Sequence, residues 1–387
     1  MIRLKQAITT LSLSASLAIA SGSLAEQRSE PTLKEALEGK FLVGATLNGW
    51  MLSDSDHPAY DLIETHFSSI SPANSMKWGP MNPQPGEYKL EQADAFAAYG
   101  AQQGLDMIGH TLFWHSQTPN WVFEDSEGNP LTREALLARM RERARMMAER
   151  YGDRIKTWDV VNESIEGDGS WRKSKFQQII GDDFTEQAFR IAMEELPADA
   201  KLLYNDYSMT DEGRRKAVVA MVKDFQEKGV RIDGIGMQGH WGMSYPSAQE
   251  IEKSILMFAE TGVPVHITEL DIDLLGRDHF FGANVDIGRI QANEENNPYA
   301  DGKLPAEEEE RFADRYAEVF AVLLKHSDKI ERVTFWGVTD EDSWLNFWPV
   351  RGRTNFALLF DRDYQPKPAF YRIVELAAKT NSEPTAE

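Results

Sequence analysis

The side chains of this 387-residue chain that could do chemistry are carboxylates, imidazoles and amides, because it contains no cysteine. Thiolate nucleophiles, disulfides, Cys-type zinc sites and iron–sulfur clusters are thereby excluded together. Among 62 acidic residues, two glutamates stand apart. Glu163 follows Trp158-Asp159-Val160-Val161-Asn162, and Glu269 follows Val265-His266-Ile267-Thr268, so each closes a short apolar run. Such a pair suits cleavage of a glycosidic bond. One glutamic acid protonates the leaving oxygen while the other, ionised, attacks the anomeric carbon, and a carboxyl separation of about 5 to 5.5 Å gives retention of configuration.

Either glutamate alone could be an ordinary solvated carboxylate. Their company argues otherwise, since Trp78, Trp114, Trp241, Trp336, Trp344 and Trp348 also follow apolar runs, as do Asn74, Lys77, His110, Asn162, Tyr207 and Gln238. Tryptophan presents a broad apolar face to the C–H faces of a pyranose ring and an N–H to its hydroxyls. Trp158, inside a run, is expected in the core instead. The histidines His110, His115, His240 and His266 could in principle ligate a metal. None is paired at helical i,i+4 spacing with a Glu between, and the first run ends in Leu47-Asn48-Gly49 with no His-x-His, so neither a metal nor a cofactor is expected. His240 and Asp271 make better sense as hydrogen-bonded support that keeps Glu269 ionised and oriented.

These residues need elements to bring them together. Eight short apolar runs begin at Phe41, Ser68, Asp106, Ile155, Lys201, Ile232, Val263 and Arg332. Longer helical patterns separate them. Ser247-Ala248-Gln249-Glu250 is a capping box before Ile251, Ile255 and Phe258, with Gly262 as the stop; Leu136, Met140, Ala144, Met147 and Tyr151 recur on one face; and Val218 to Gly229 ends on a glycine. Eight strand–helix alternations predict a parallel sheet. No G-x-G-x-x-G or phosphate-binding loop follows the first strand, which favours a closed (β/α)8 TIM barrel in a single domain over a doubly wound sheet. In such a barrel the active site lies at the C-terminal ends of the strands, where these polar and aromatic residues fall. The polar segment from Gly276 to Pro305 is expected as an elaborated loop on that face.

With 41 basic residues against 62 acidic ones, the net charge is −21, which disfavours nucleic acid and anionic lipid as partners. Arg3 and Lys5 precede a nearly uncharged stretch from Ala7 to Ala20, followed by Ser23-Leu24-Ala25. This reads as a secretory signal peptide over residues 1–25, too short and too interrupted by Ser and Thr to span a bilayer. Residues 26–387 are then the catalytic barrel, exported to the periplasm or the medium and expected as a monomer.

Taken together, the motifs resemble those of glycoside hydrolase family 10 endo-β-1,4-xylanases across nearly all of Leu42 to Val374. The likeness rests on Asn74-Ser75-Met76-Lys77-Trp78, Gly109-His110-Thr111-Leu112 with Trp114-His115, Trp158 to Glu163, Tyr204-Asn205-Asp206-Tyr207, Gly236 to His240, Ile267 to Asp271, Trp336-Gly337-Val338 and Asp342-Ser343-Trp344. The resemblance implies hydrolysis of xylan by double displacement, with Glu163 as acid/base, Glu269 as nucleophile and Asn162 on the sugar 2-hydroxyl. It further implies Lys77, His110 and Trp336 around the glycone sugar, Asn74 and Trp344 around the next one, Tyr207 on the leaving-group side, and Gln238 and His240 setting the protonation of the two glutamates. One position departs from the family pattern: Ala73 stands where a Glu is usual. Two other readings differ in substrate or class. A retaining β-1,4-glucanase or mixed-specificity glycosidase would use the same barrel, and a non-catalytic carbohydrate-binding protein would need to have lost one of the two glutamates, which are both present.

Overall fold

The computed structural model describes residues 31–277 and 290–382. The expected signal peptide lies outside the described residues. Among the described residues nine strands follow one another: β1 (Leu42–Leu47), β2 (Ser69–Pro72), β3 (Asp106–Trp114), β4 (Thr157–Asn162), β5 (Lys201–Asp206), β6 (Gly234–Met237), β7 (His240–Gly242), β8 (Val265–Asp273) and β9 (Ile330–Phe335). All the strand pairings are parallel. β1 pairs with both β2 and β9, and β6 pairs with β8, so eight strands close into a barrel. The short β7 adds to the C-terminal end of β8, His240 opposite Asp271. It was not expected from the sequence, because three residues are too few to show an alternating pattern. Its consequence is local: the register delivers His240 to the mouth of the barrel.

The helices form for the reasons their sequences suggest. Helix Arg133–Tyr151 starts where the Thr132 hydroxyl accepts from Ala135 N–H, and it buries Leu136, Met140, Ala144, Met147 and Tyr151 as one stripe. The Ser247/Glu250 capping box is formed in full at the start of helix Ala248–Ala259. Helix Glu212–Glu227 begins a turn and a half before Val218. Its first turn buries Arg214 and Arg215, whose guanidiniums donate to the carbonyls of Ile165 and Thr210, and apolar periodicity is blind to that kind of burial.

Trp158 is fully buried on β4, as expected of a core residue. Gly109 lies directly opposite it on β3, and a Cβ there would come 2.1 Å from the Trp158 ring. Glycine is what lets the indole lie flat against the neighbouring strand. Of the segment between β8 and β9, residues 278–289 lie outside the described residues. The stretches on either side of them, 275–276 and 291–296, pack on the loop that follows β9, where Arg353 donates to the carbonyls of Leu275, Gly276 and Asn296, and Gln291 bridges to Arg351.

Candidate active site

Glu163 is the first residue after β4, and its φ of 61° lies in the left-handed region. A side chain other than glycine is rarely held there unless its surroundings over-determine it, and such residues cluster at functional sites. Here its N–H donates to the Asn205 carbonyl at 2.9 Å, while its own carbonyl accepts from Arg172 Nε at 2.9 Å. The turn aims the carboxylate over the barrel mouth. Trp114 Nε1 donates to Oε2 at 2.9 Å, and Gln238 Nε2 donates to Oε1 at 3.0 Å.

Glu269 sits inside β8, and its N–H donates to the Gln238 carbonyl at 2.6 Å. Side-chain amides tie the two glutamates together. Gln238 also reaches Asn162 Oδ1 at 3.3 Å, and Asn205 Nδ2 donates both to Asn162 Oδ1 at 3.0 Å and to Glu269 Oε1 at 2.7 Å. Thr268 orients Asn205 by donating to its Oδ1 at 2.6 Å. The carboxylates thus face a common space across fixed amides.

His240 lies between two acids, with Nε2 3.1 Å from Glu269 Oε2 and Nδ1 3.0 Å from Asp271 Oδ2. Burial works against a charge on this ring, but Asp271 and Glu269 outweigh it and raise its pKa to about 9. As an imidazolium it can donate from both nitrogens. Burial would likewise raise the Glu269 pKa, yet the His240 hydrogen bond and the positive charges of His110, His240 and Lys77 hold it below its ordinary value. Trp344 Nε1 completes the support by donating to Asp271 Oδ2 at 2.7 Å. Lys77 is buried near both glutamates; desolvation lowers its pKa to about 8 against their pull. Its ammonium lies 4.6 Å from the Trp114 ring centroid and 5.9 Å from that of Trp336, and donates to Asn74 Oδ1 at 2.9 Å. His110 is held by Asp159 at 2.8 Å, with its ring edge-on to Trp336. The geometry is an acid pair in unlike surroundings, ringed by indoles and amides able to bind a sugar.

The glycosyl hydrolase family 10 pattern matches residues 32–376. The chain belongs to this family. Endo-1,4-beta-xylanase A of Xylanibacter ruminicola is 41% identical over 90% of this chain and 94% of its own. The endo-1,4-beta-xylanase of Geobacillus stearothermophilus is 38% identical over 89% and 98%. A solved family 10 endoxylanase retrieved from a sugarcane soil metagenome superposes with a TM-score of 0.84 at 42% identity, covering 89% of this chain and 99% of its own. A further solved relative, in complex with xylotriose, has a TM-score of 0.79 at 31% identity and covers 89% and 99%.

Of the expected sugar-binding residues in this family 10 barrel, His110 lies within β3, Trp344 opens a turn nine residues beyond β9, and the others lie at or shortly past strand ends, but two tryptophans do not line a cleft. Trp78 is only 4% exposed; it packs between Phe113, Phe176 and Trp121, with the Arg143 guanidinium over its ring. Trp241, 5% exposed, belongs to the core as well. The helical turn Trp78–Met81 begins at once after Lys77 and carries the indole inward, beneath the ammonium it was grouped with. The histidines are engaged separately: His110 by Asp159, His240 by Glu269 with Asp271, His115 edge-on to Trp114, and His266 buried inside the barrel wall beside Gly234. Arg172 was not singled out in the sequence. It donates to the Glu163 carbonyl and, at 2.7 Å, to the Tyr207 hydroxyl, which places that ring beside Glu163. No spacing marks it, since it lies on a loop. Asn205 was visible as a strand-end amide, but its double role between Asn162 and Glu269 was not.

Proposed function

We propose that Glu163 is the acid/base and Glu269 the nucleophile of this enzyme. The chain is a glycoside hydrolase that cleaves β-1,4-xylosidic bonds within xylan with retention. In the first step a carboxylate oxygen of Glu269 attacks the anomeric carbon, the bond to the leaving oxygen breaks, and that oxygen takes the proton of Glu163. In the second step Glu163, now a carboxylate, accepts a proton from water as the water's oxygen displaces Glu269 from the same carbon. The observation that carries the assignment is the His240 ring held between Glu269 and Asp271, a support that Glu163 lacks. It keeps one carboxylate of the pair charged. Proton NMR of the first product tests this reading: the β-anomer is expected, and an initial α-anomer would overturn it.

Lys77, His110 and Trp336 take the sugar at the cleavage point, Asn162 its 2-hydroxyl, Asn74 and Trp344 the next sugar outward, and Tyr207 the leaving-group side. Support comes from their convergence on the two glutamates and from the xylotriose held by a family relative. Export of a monomer through a leader at residues 1–25 is part of the same proposal. No helix among the described residues is long and apolar enough to cross a membrane. N-terminal sequencing of the enzyme recovered from periplasm and medium, with light scattering for its mass, tests both points.

A further inference from the structure

We propose that Trp50 is an additional sugar-binding platform on the catalytic face, taking a xylose ring of the substrate beyond the two glycone sugars assigned above; the inference rests on the xylan reading. The loop after β1 makes it possible. Met51 and Leu52 are buried beneath it, while Trp50 between Gly49 and Met51 is 46% exposed. The turn is tied down on all sides: Leu52 N–H donates to the Asn48 carbonyl, Ser53 Oγ and Gln92 Nε2 both donate to the Gly49 carbonyl at 2.9 Å, and Tyr60 OH donates to the Met51 carbonyl at 3.0 Å. A large apolar ring is therefore held in water by a rigid frame. A singly exposed apolar residue would call for no explanation, but Trp50 is not alone.

Its ring meets His57 edge-on at 4.5 Å, and His57 in turn meets Tyr364. The loop after β9 adjoins it and presents Phe347, 66% exposed, and Trp348, 38% exposed and stacked on Trp344 at 5.0 Å. One hydrogen bond joins the two loops, from Asn48 Nδ2 to the Asp342 carbonyl at 3.1 Å, and Tyr364, which His57 meets, is itself tied to the region after β9 by its OH, 3.5 Å from Glu341 Oε2. Asp342 is two residues from Trp344, so the aromatic surface continues outward from the glycone end of the cleft. An extended β-1,4 chain leaving Trp344 on that side runs over a rigid aromatic rim. Stacking of a pyranose on the indole is the recognition expected there, because the loop backbone that carries the ring is already fixed.

The test compares kcat/KM on xylohexaose with that on an aryl β-xylobioside, which is too short to reach Trp50. Trp50→Ala should lower the ratio of the two about 2- to 12-fold, mostly through KM on the hexamer. Trp50→Leu, which keeps an apolar side chain but has no ring face, should lower it similarly. A ratio equal to that of the parent enzyme, whether both activities hold or both fall together, overturns the proposal, as does full restoration of the ratio by leucine. Failure of the xylan reading is separately visible, since the parent enzyme would then cleave neither substrate.

Discussion

Glu163 and Glu269 differ less in themselves than in what touches them, and the consequences can be measured residue by residue. Glu269→Ala removes the attacking oxygen and should abolish turnover on every substrate. Glu163→Ala should retain bond cleavage on aryl xylosides with good leaving groups, which need no proton, and azide should speed its slow second step, with β-xylosyl azide accumulating in the NMR spectrum. Neither azide rescue nor retained cleavage of activated substrates would contradict a nucleophile at Glu269; their absence would remove Glu163 from its role. His240→Ala takes away the hydrogen bond and charge that hold the Glu269 pKa down. Less acid is then needed to protonate the nucleophile, so the acidic limb of the kcat/KM profile should move to higher pH while the rate falls. An acidic limb left in place would refute the support role. Ala73 is a smaller matter of the same kind. Its buried methyl follows β2, and the Asn48 amide nearby is oriented by donating from Nδ2 to the Asp342 carbonyl. A hydrogen bond to a charged group contributes about 1.5 to 3 kcal/mol, so Ala73→Glu should raise kcat/KM on xylotriose-sized substrates roughly 10- to 150-fold and on polymer less. A parallel fall on both substrates would show that the buried site leaves no room for the longer side chain.

At the scale of the elements, the catalytic geometry depends on neighbouring strands meeting closely and in register. Trp114, Asn162 and Asn205 stand side by side across β3, β4 and β5, and that row places the indole and amides that Glu163 and Glu269 use. Gly109 permits the approach of β3 to β4 lower in the wall. Gly109→Ala would drive a methyl into Trp158, and overpacking of this sort costs about 1 to 3 kcal/mol or more. A lowered calorimetric Tm together with reduced kcat is expected; an unchanged Tm would mean that the wall relaxes freely. The helices were legible in the sequence wherever a cap or an apolar stripe marked them, as at Thr132 and Ser247. They were illegible where buried arginines replaced the stripe, as at Arg214 and Arg215, and β7 was too short to carry a pattern. Trp78 misled for a related reason: following a strand end places a residue near the mouth, but the helical turn it begins decides whether the ring faces cleft or core.

For the molecule as a whole, the charge of −21 and the buried acids set how stability responds to pH. Burial pushes Asp206 from its ordinary 3.8 up to about 7, against Arg214 and Tyr204, and the acids around His240 raise it from 6.5 to about 9 against its burial. Both groups bind a proton more readily folded than unfolded, so their contribution is full below the unfolded value and is lost as pH rises through the folded one. His66 opposes this at the acidic end, since burial lowers it to about 4 and stability falls as pH drops from 6.5 toward that value. The Tm should therefore be higher near pH 6 than near pH 9, and at pH 9 added salt should recover part of the loss by screening like charges. A Tm that rises toward pH 9 in scanning calorimetry would contradict this balance. The alternation of strands and helices, the closed barrel and the candidacy of Glu163 and Glu269 were legible in the sequence alone, because each rests on neighbours along the chain, a run, a cap, a residue after a run, although β8 continues through Glu269 to Asp273. The tertiary structure alone decided which tryptophans face the cleft, that Asn205 and Gln238 link the two carboxylates, that Arg172 steadies both Glu163 and Tyr207, and that Trp50 stands at an aromatic rim. Those contacts join residues from different strands and loops, and closure of the barrel, not local periodicity, brings their side chains within hydrogen-bonding distance.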